Sequence, residues 1–65
     1  MRPRPISETG LLLTDKGRLI LQMPGGGAWR LEAPRKIEKM LGRRVTVTGY
    51  RVDFDVIEVD KCLLI

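Results

Sequence analysis

Polar and apolar residues alternate along most of this chain, and the places where they stop alternating mark its turns. In residues 18–23, Leu19, Leu21 and Met23 fall on one parity while Arg18, Ile20 and Gln22 fall on the other. A period of two predicts a strand with one buried face. Residues 9–14 form a short apolar run before it, with Leu11 and Leu13 on one face. Asp15, Lys16 and Gly17 separate the two runs, which fits a tight hairpin with a bulge.

The stretch MPGGGAWRL, residues 23–31, has two physical readings. A phosphate-binding loop needs glycines that feed a helix N-terminus, with Lys and Ser or Thr just beyond. Here Trp29 and Leu31 alternate with Arg30 and Glu32, so a strand follows instead. Pro24 suits the first corner of a turn and the glycines supply positive φ angles, so the segment joins a second strand to a third. Trp29 shares the parity of Leu31 and is expected in the core.

The period changes in residues 34–42. Ile37, Met40 and Leu41 lie at i, i+3 and i+4, one face of a helix of about two turns. Pro34 suits its first position and Gly42 its stop. A helix so short must dock on an apolar surface to persist. Residues 43–50 return to alternation, with Val45 and Val47 inward and Arg44, Thr46 and Thr48 outward. Gly49 in that pattern suggests a bend or a close backbone approach. In residues 54–65 the parity breaks: Phe54 and Val56 share one parity, Ile57 and Val59 the other. A bulge near Val56 and Ile57 would keep all four inside and leave Asp53, Asp55, Glu58 and Asp60 in water.

These elements predict a mostly β fold of five strands, with one short helix between strands 3 and 4. A flat sheet of that size would expose two edges; closing it into a small barrel with the helix plugging one end removes them. The domain is expected to span residues 7–65, preceded by an extended N-terminal arm at residues 1–6. The segments GLLLTDKGRLILQM, GGAWRLEAP, LGRRVTVTGY and FDVIEVDKCLLI resemble the oligonucleotide/oligosaccharide-binding (OB) fold. They are also similar to a family of small bacterial proteins catalogued as a domain of unknown function. The resemblance covers residues 9–65. It implies an OB-like barrel whose binding surfaces are the outer face of strands 2 and 3 and the loops after strands 1 and 4. It brings no catalytic residue with it.

With 65 residues there is room for one domain, whose core is thin because so short a chain buries only about 60% of its unfolded surface. Hydrophobic content of 43% and charged content of 31% are those of an ordinary globular domain. No apolar stretch reaches membrane-spanning length, and MRPRPISETG lacks the apolar core of an export leader. With a single cysteine and no leader, a cytoplasmic location is expected.

The net charge of +4 is unevenly spread. Residues 34–51 hold six basic groups and one acidic, whereas residues 52–65 hold one basic and four acidic. A basic patch suits a polyanion, and single-stranded nucleic acid foremost. The competing reading makes the same residues a solvated face.

Catalytic chemistry has little to stand on. The chain has no histidine, which removes His-based triads, general bases and metal ligands. Cys62 lacks an activating partner and reads as a small apolar filler. The ending Cys62-Leu63-Leu64-Ile65 matches a prenylation pattern, but it continues an apolar strand and reads as packed. The acidic group at 53–60 lacks a loop glycine, and strand pleating would spread its carboxylates. We expect no enzyme, no cofactor and no metal. The candidate nucleic-acid-binding residues are Lys16, Arg18, Arg30, Tyr50 and Arg51, with Tyr50 as the exposed aromatic and Phe54 in the core. The rival function is a protein-interaction or structural module, a homodimer or subunit meeting its partner through Ile20 and exposed edges, with no membrane role.

Overall fold

The computed structural model describes residues 4–65, so the first three positions of the expected arm lie outside the described residues. Five strands and one short helix follow in the expected order: β1 (Ile6–Asp15), β2 (Arg18–Gln22), β3 (Ala28–Glu32), a 3-10 helix (Arg35–Met40), β4 (Arg44–Asp53) and β5 (Val56–Leu64). Ile6, assigned to the arm by its sequence, is the first residue of β1 and pairs with Gly49. The strands form one sheet in the order β1-β2-β3-β5-β4, and β4 returns to pair with β1. All pairings are antiparallel except β3 with β5.

β1 is long enough to serve two neighbours. Its residues 6–11 pair with β4, and 11–15 with β2. Gly10 sits where the partners change. A Cβ there would run into the Gln22 carbonyl oxygen and lie 3.1 Å from Leu21 Cγ, so only glycine lets β2 cross this closely.

Parity places the core of β2, β3 and β4 as expected, but in β1 the buried residue is Leu12, between an exposed Leu11 and a half-buried Leu13, and not the face shared by Leu11 and Leu13. Leu12, Leu21, Val45, Val47 and Ile57 are fully buried, and Leu31, Ile37 and Val56 nearly so. Trp29, half-buried, packs against this cluster together with Leu19, Met23, Met40, Val59 and Cys62. Arg44, Thr46 and Thr48 face outward or toward the rim.

Both early hairpins form. The glycine-rich connection closes on itself, with Met23 N–H donating to the Gly27 carbonyl (3.0 Å) and Gly26 N–H to the Met23 carbonyl (3.1 Å). Gly26 and Gly27 have positive φ, as a strand-joining turn requires. The β1–β2 hairpin differs from expectation. Its pairing runs without interruption to Asp15 opposite Arg18, so Lys16 and Gly17 form a two-residue turn with no bulge. Both have positive φ (53° and 79°), which type I′ turns demand because their twist matches the flanking strands.

The helix is tighter than the expected α-helix. Ile37 N–H donates to Pro34 and Leu41 N–H to Glu38, three residues back. At three residues per turn Ile37 and Met40 share one face, and Ile37 is buried while Leu41 swings out to 37% exposure. Gly42 ends the helix with a positive φ, and its N–H donates to the Leu12 carbonyl at 2.7 Å, tying the helix end to β1.

The last hairpin brings the largest correction. Phe54 is not core: β4 and β5 are joined by a two-residue turn, Phe54-Asp55, and the Phe54 side chain is 82% exposed. Asp53 stabilises the turn by accepting from the Phe54 N–H at 2.7 Å, which commits these residues to a corner and turns the ring outward. The expected irregularity beside Val56 and Ile57 exists, but the extra residue is Val52 on β4. β5 itself keeps its alternation there: Ile57 joins the core cluster, whereas Val56, also buried, stands in register with the outward-facing Arg30 and outside that cluster, so the four apolar residues do not all share the core. A second bulge inserts Asp60 in β5 opposite Thr48 and Gly49. There Gly49 permits the close approach its position suggested: a Cβ would overlap the Glu58 carbonyl. Cys62 and Leu64 pair with Val47 and Val45, so the chain end is a strand, although the side chains of Leu63, Leu64 and Ile65 are exposed.

Candidate functional site

Three of the five candidate binding residues come together. Lys16 at the β1–β2 turn, Arg18 at the start of β2 and Arg30 in mid-β3 line one depression of about 430 Å³, with Asp15 and Ile20. The register explains this convergence. Ile20 stands opposite Arg30, and Arg18 stands two residues further along the same face of β2. Alternation points Arg18, Ile20 and Arg30 away from the core, and the two-residue turn folds Lys16 back beside them. Lys16 is the one non-glycine with positive φ among the described residues.

Acidic groups temper the cluster. Arg30 Nη2 donates to Asp55 Oδ1 at 2.8 Å and Nε to the same oxygen at 3.2 Å. This hydrogen bond first, and the charge of Asp55 second, raise the Arg30 pKa and keep the guanidinium charged. The Arg30 N–H also donates to the Asp55 carbonyl at 2.7 Å, so the β4–β5 turn is anchored to β3 twice. On its other side Arg18 and Arg30 border a second depression, together with Glu32, Glu38 and Asp53. The Lys16 side thus holds Lys16, Arg18 and Arg30 against Asp15, whereas the other side sets the two arginines against three acids.

Arg51 and Tyr50 do not join the cluster. Arg51 is held by its own turn: Nε donates to the Asp53 carbonyl (3.1 Å), and Nε and Nη2 donate to the Phe54 carbonyl (3.1 and 2.7 Å). Its guanidinium carbon lies 5.9 Å from the Trp29 ring centroid and 5.6 Å from that of Phe54, within cation–π range of both. Tyr50 is exposed as expected, but it stands beside Glu58 across β4 and β5.

Phe54 is the residue that sequence reasoning missed. The Asp-Phe-Asp turn carries no glycine, proline or asparagine to announce it. Phe54 presents its ring to solvent next to Asp55, the partner of Arg30. Its ring does not line the basic depression; it lies 5.6 Å from the Arg51 guanidinium carbon, on the turn that Asp55 ties to Arg30.

Burial raises the pKa of the Cys62 thiol, which favours its neutral form and opposes nucleophilic use. Among the described residues, no group of three or more His, Cys, Asp or Glu side chains is placed to hold a metal ion. Among the described residues no helix is long and apolar enough to cross a membrane.

Residues 9–62 match the family described as "Protein of unknown function (DUF5818)", and the chain belongs to that family. The matched span begins in β1 and ends in β5, and so takes in every strand of the sheet. No curated protein and no solved structure matches the chain.

Proposed function

We propose that this DUF5818 member is a small OB-like barrel without catalytic chemistry. Its function is to bind single-stranded nucleic acid, or a polyanion like it, across the outer face of β2 and β3. The strand order β1-β2-β3-β5-β4 with return to β1, the parallel β3–β5 pair and the helix between β3 and β4 support the barrel reading. OB folds take oligonucleotides on the β2–β3 face between the β1–β2 and β4–β5 loops.

The observation that carries the proposal is the convergence of Lys16, Arg18 and Arg30 in one depression, next to a turn that exposes Phe54. Cations there would contact phosphates and the ring would stack a base. Lys16 adds a second support: strain in a non-glycine backbone gathers where side-chain position matters. Phosphate contact dominates such binding and carries no sequence information, so affinity is weak, sequence-tolerant and steeply salt-dependent. Arg51 shapes the turn rather than touching phosphate.

Fluorescence anisotropy with a labelled oligonucleotide tests this at low and near-physiological salt. Binding at low salt that fades as salt rises, and that drops in Arg18→Ala and Phe54→Ala, supports it. No binding at low salt rejects it in favour of the protein-interaction role.

A further inference from the structure

The closed run of pairings leaves one edge uncovered. β3 pairs with β5 only at residues 56–58, and among the described residues no strand pairs with that side of β5 beyond Glu58. The hydrogen bond from Ile65 N–H to the Arg44 carbonyl sets the phase of the β4–β5 ladder. In an antiparallel pair, bonded and non-bonded positions alternate, so Leu63 bonds toward β4 while Cys62 and Leu64 turn their N–H and C=O groups to the free edge. The edge does not face open water alone. The 3-10 helix runs alongside, and the two enclose a groove of about 320 Å³. Ile37, Met40, Val59 and Leu63 supply its apolar lining. Lys36, Lys39 and Lys61 rim it, against a single acid, Asp60. All three lysines are exposed and free of ion pairs among the described residues.

We propose that this groove docks an extended acidic segment of a partner protein, which adds a strand to the free edge of β5. The unpaired edge groups match a polypeptide backbone, which has both donors and acceptors at strand spacing. A phosphodiester has no donor to offer the edge carbonyls. Alternate side chains of such a segment would point between Ile37, Met40 and Val59, while the others meet the lysines. The charge balance selects the occupant. A second copy of this chain joined through the same edge would bring the same three lysines and single acid to the contact, and like charges brought together there are destabilising. A carboxylate-bearing strand removes that repulsion. This surface lies apart from Lys16, Arg18 and Arg30, so it neither requires nor excludes binding there.

The test uses a short peptide alternating glutamate and valine, titrated into the isotopically labelled full chain. The expected result is that amide exchange at Cys62 and Leu64 slows about tenfold, while the amides of Lys16 and Arg18 are unaffected. Lys36→Glu with Lys39→Glu, both on the exposed helix face, should weaken binding about tenfold without lowering the melting temperature. The same peptide N-methylated at alternate residues should lose binding, because it cannot pair with the edge. Three outcomes overturn the proposal. The peptide leaves Cys62 and Leu64 exchange unchanged at millimolar concentration, which makes the lysines guards of the edge. The N-methylated peptide binds equally well, which removes strand addition. Or a single-stranded oligonucleotide displaces the peptide, which makes the groove a polyanion site.

Discussion

Arg30 and Asp55 form a 2.8 Å ion pair that fastens β3 to the β4–β5 turn at the border of the basic depression. Both side chains are nearly half exposed (48% and 41%), so water and salt screen the pair and its worth to folding is small. Its effect on the site is larger, because Asp55 cancels the charge of Arg30 locally. Asp55→Asn is therefore expected to strengthen oligonucleotide binding about threefold at low salt and leave the melting temperature nearly unchanged. Anisotropy and thermal unfolding measure the two effects separately.

Arg51 donates three hydrogen bonds to carbonyls of its own turn while facing two rings. Lysine can supply the charge but not the planar fork. Arg51→Lys should cost about 1 kcal/mol in urea unfolding. It should weaken oligonucleotide binding less than Arg18→Ala does. An equal loss of affinity in both variants would make Arg51 a phosphate contact.

Two glycines give opposite expectations. A Cβ at Gly49 would overlap the Glu58 carbonyl, with the Glu58 carbonyl carbon at 2.9 Å and Val59 Cα at 3.0 Å. All three are backbone atoms that cannot rotate aside, so Gly49→Ala should cost about 3 kcal/mol or prevent folding. Gly25 has open space around it and no positive φ. Gly25→Ala should change stability by no more than about 0.5 kcal/mol. Urea denaturation of the two variants checks the contrast.

Lys16 combines a strained backbone with a candidate contact. Asparagine tolerates positive φ better. Lys16→Asn should gain about 0.5 kcal/mol in stability while losing one phosphate contact, which lowers the salt slope of binding by about one. Higher stability with an unchanged salt slope would remove Lys16 from the interface.

Cys62 titrates above the ordinary thiol range because burial disfavours the thiolate. The folded chain therefore holds this proton more tightly than the unfolded chain. The stability that this contributes is complete below the unfolded thiol pKa and is lost as pH rises through the folded one. Alkylation by iodoacetamide at neutral pH should be slower in the folded protein than in urea, and Cys62→Ala should flatten the alkaline fall in stability. Rapid alkylation of the folded chain would show the thiol to be freely exposed.

Local chemistry determined much of this protein. Alternation in residues 18–23 and 28–32 fixes which side chains face inward, since a strand's geometry puts every second residue on one face. Pro24 with three glycines, and Gly42 after an i, i+3 pair, mark turns because positive φ is a property of single residues. The same reasoning failed at Phe54, where an aromatic on the parity of Val56 reads as core until the Asp53 side chain is seen to close a turn beneath it. It also could not distinguish an α-helix from a 3-10 helix, because the hydrogen bond from Gly42 to Leu12 and the docking of Ile37 are made to distant strands. The candidate site shows the same division. That Arg18 and Arg30 point outward follows from parity alone. That Lys16, Arg18 and Arg30 meet, that Asp55 holds one of them and that Arg51 is spent on its own turn depend on strand register and order. Those are set by contacts between residues far apart in the chain, and no local pattern encodes them.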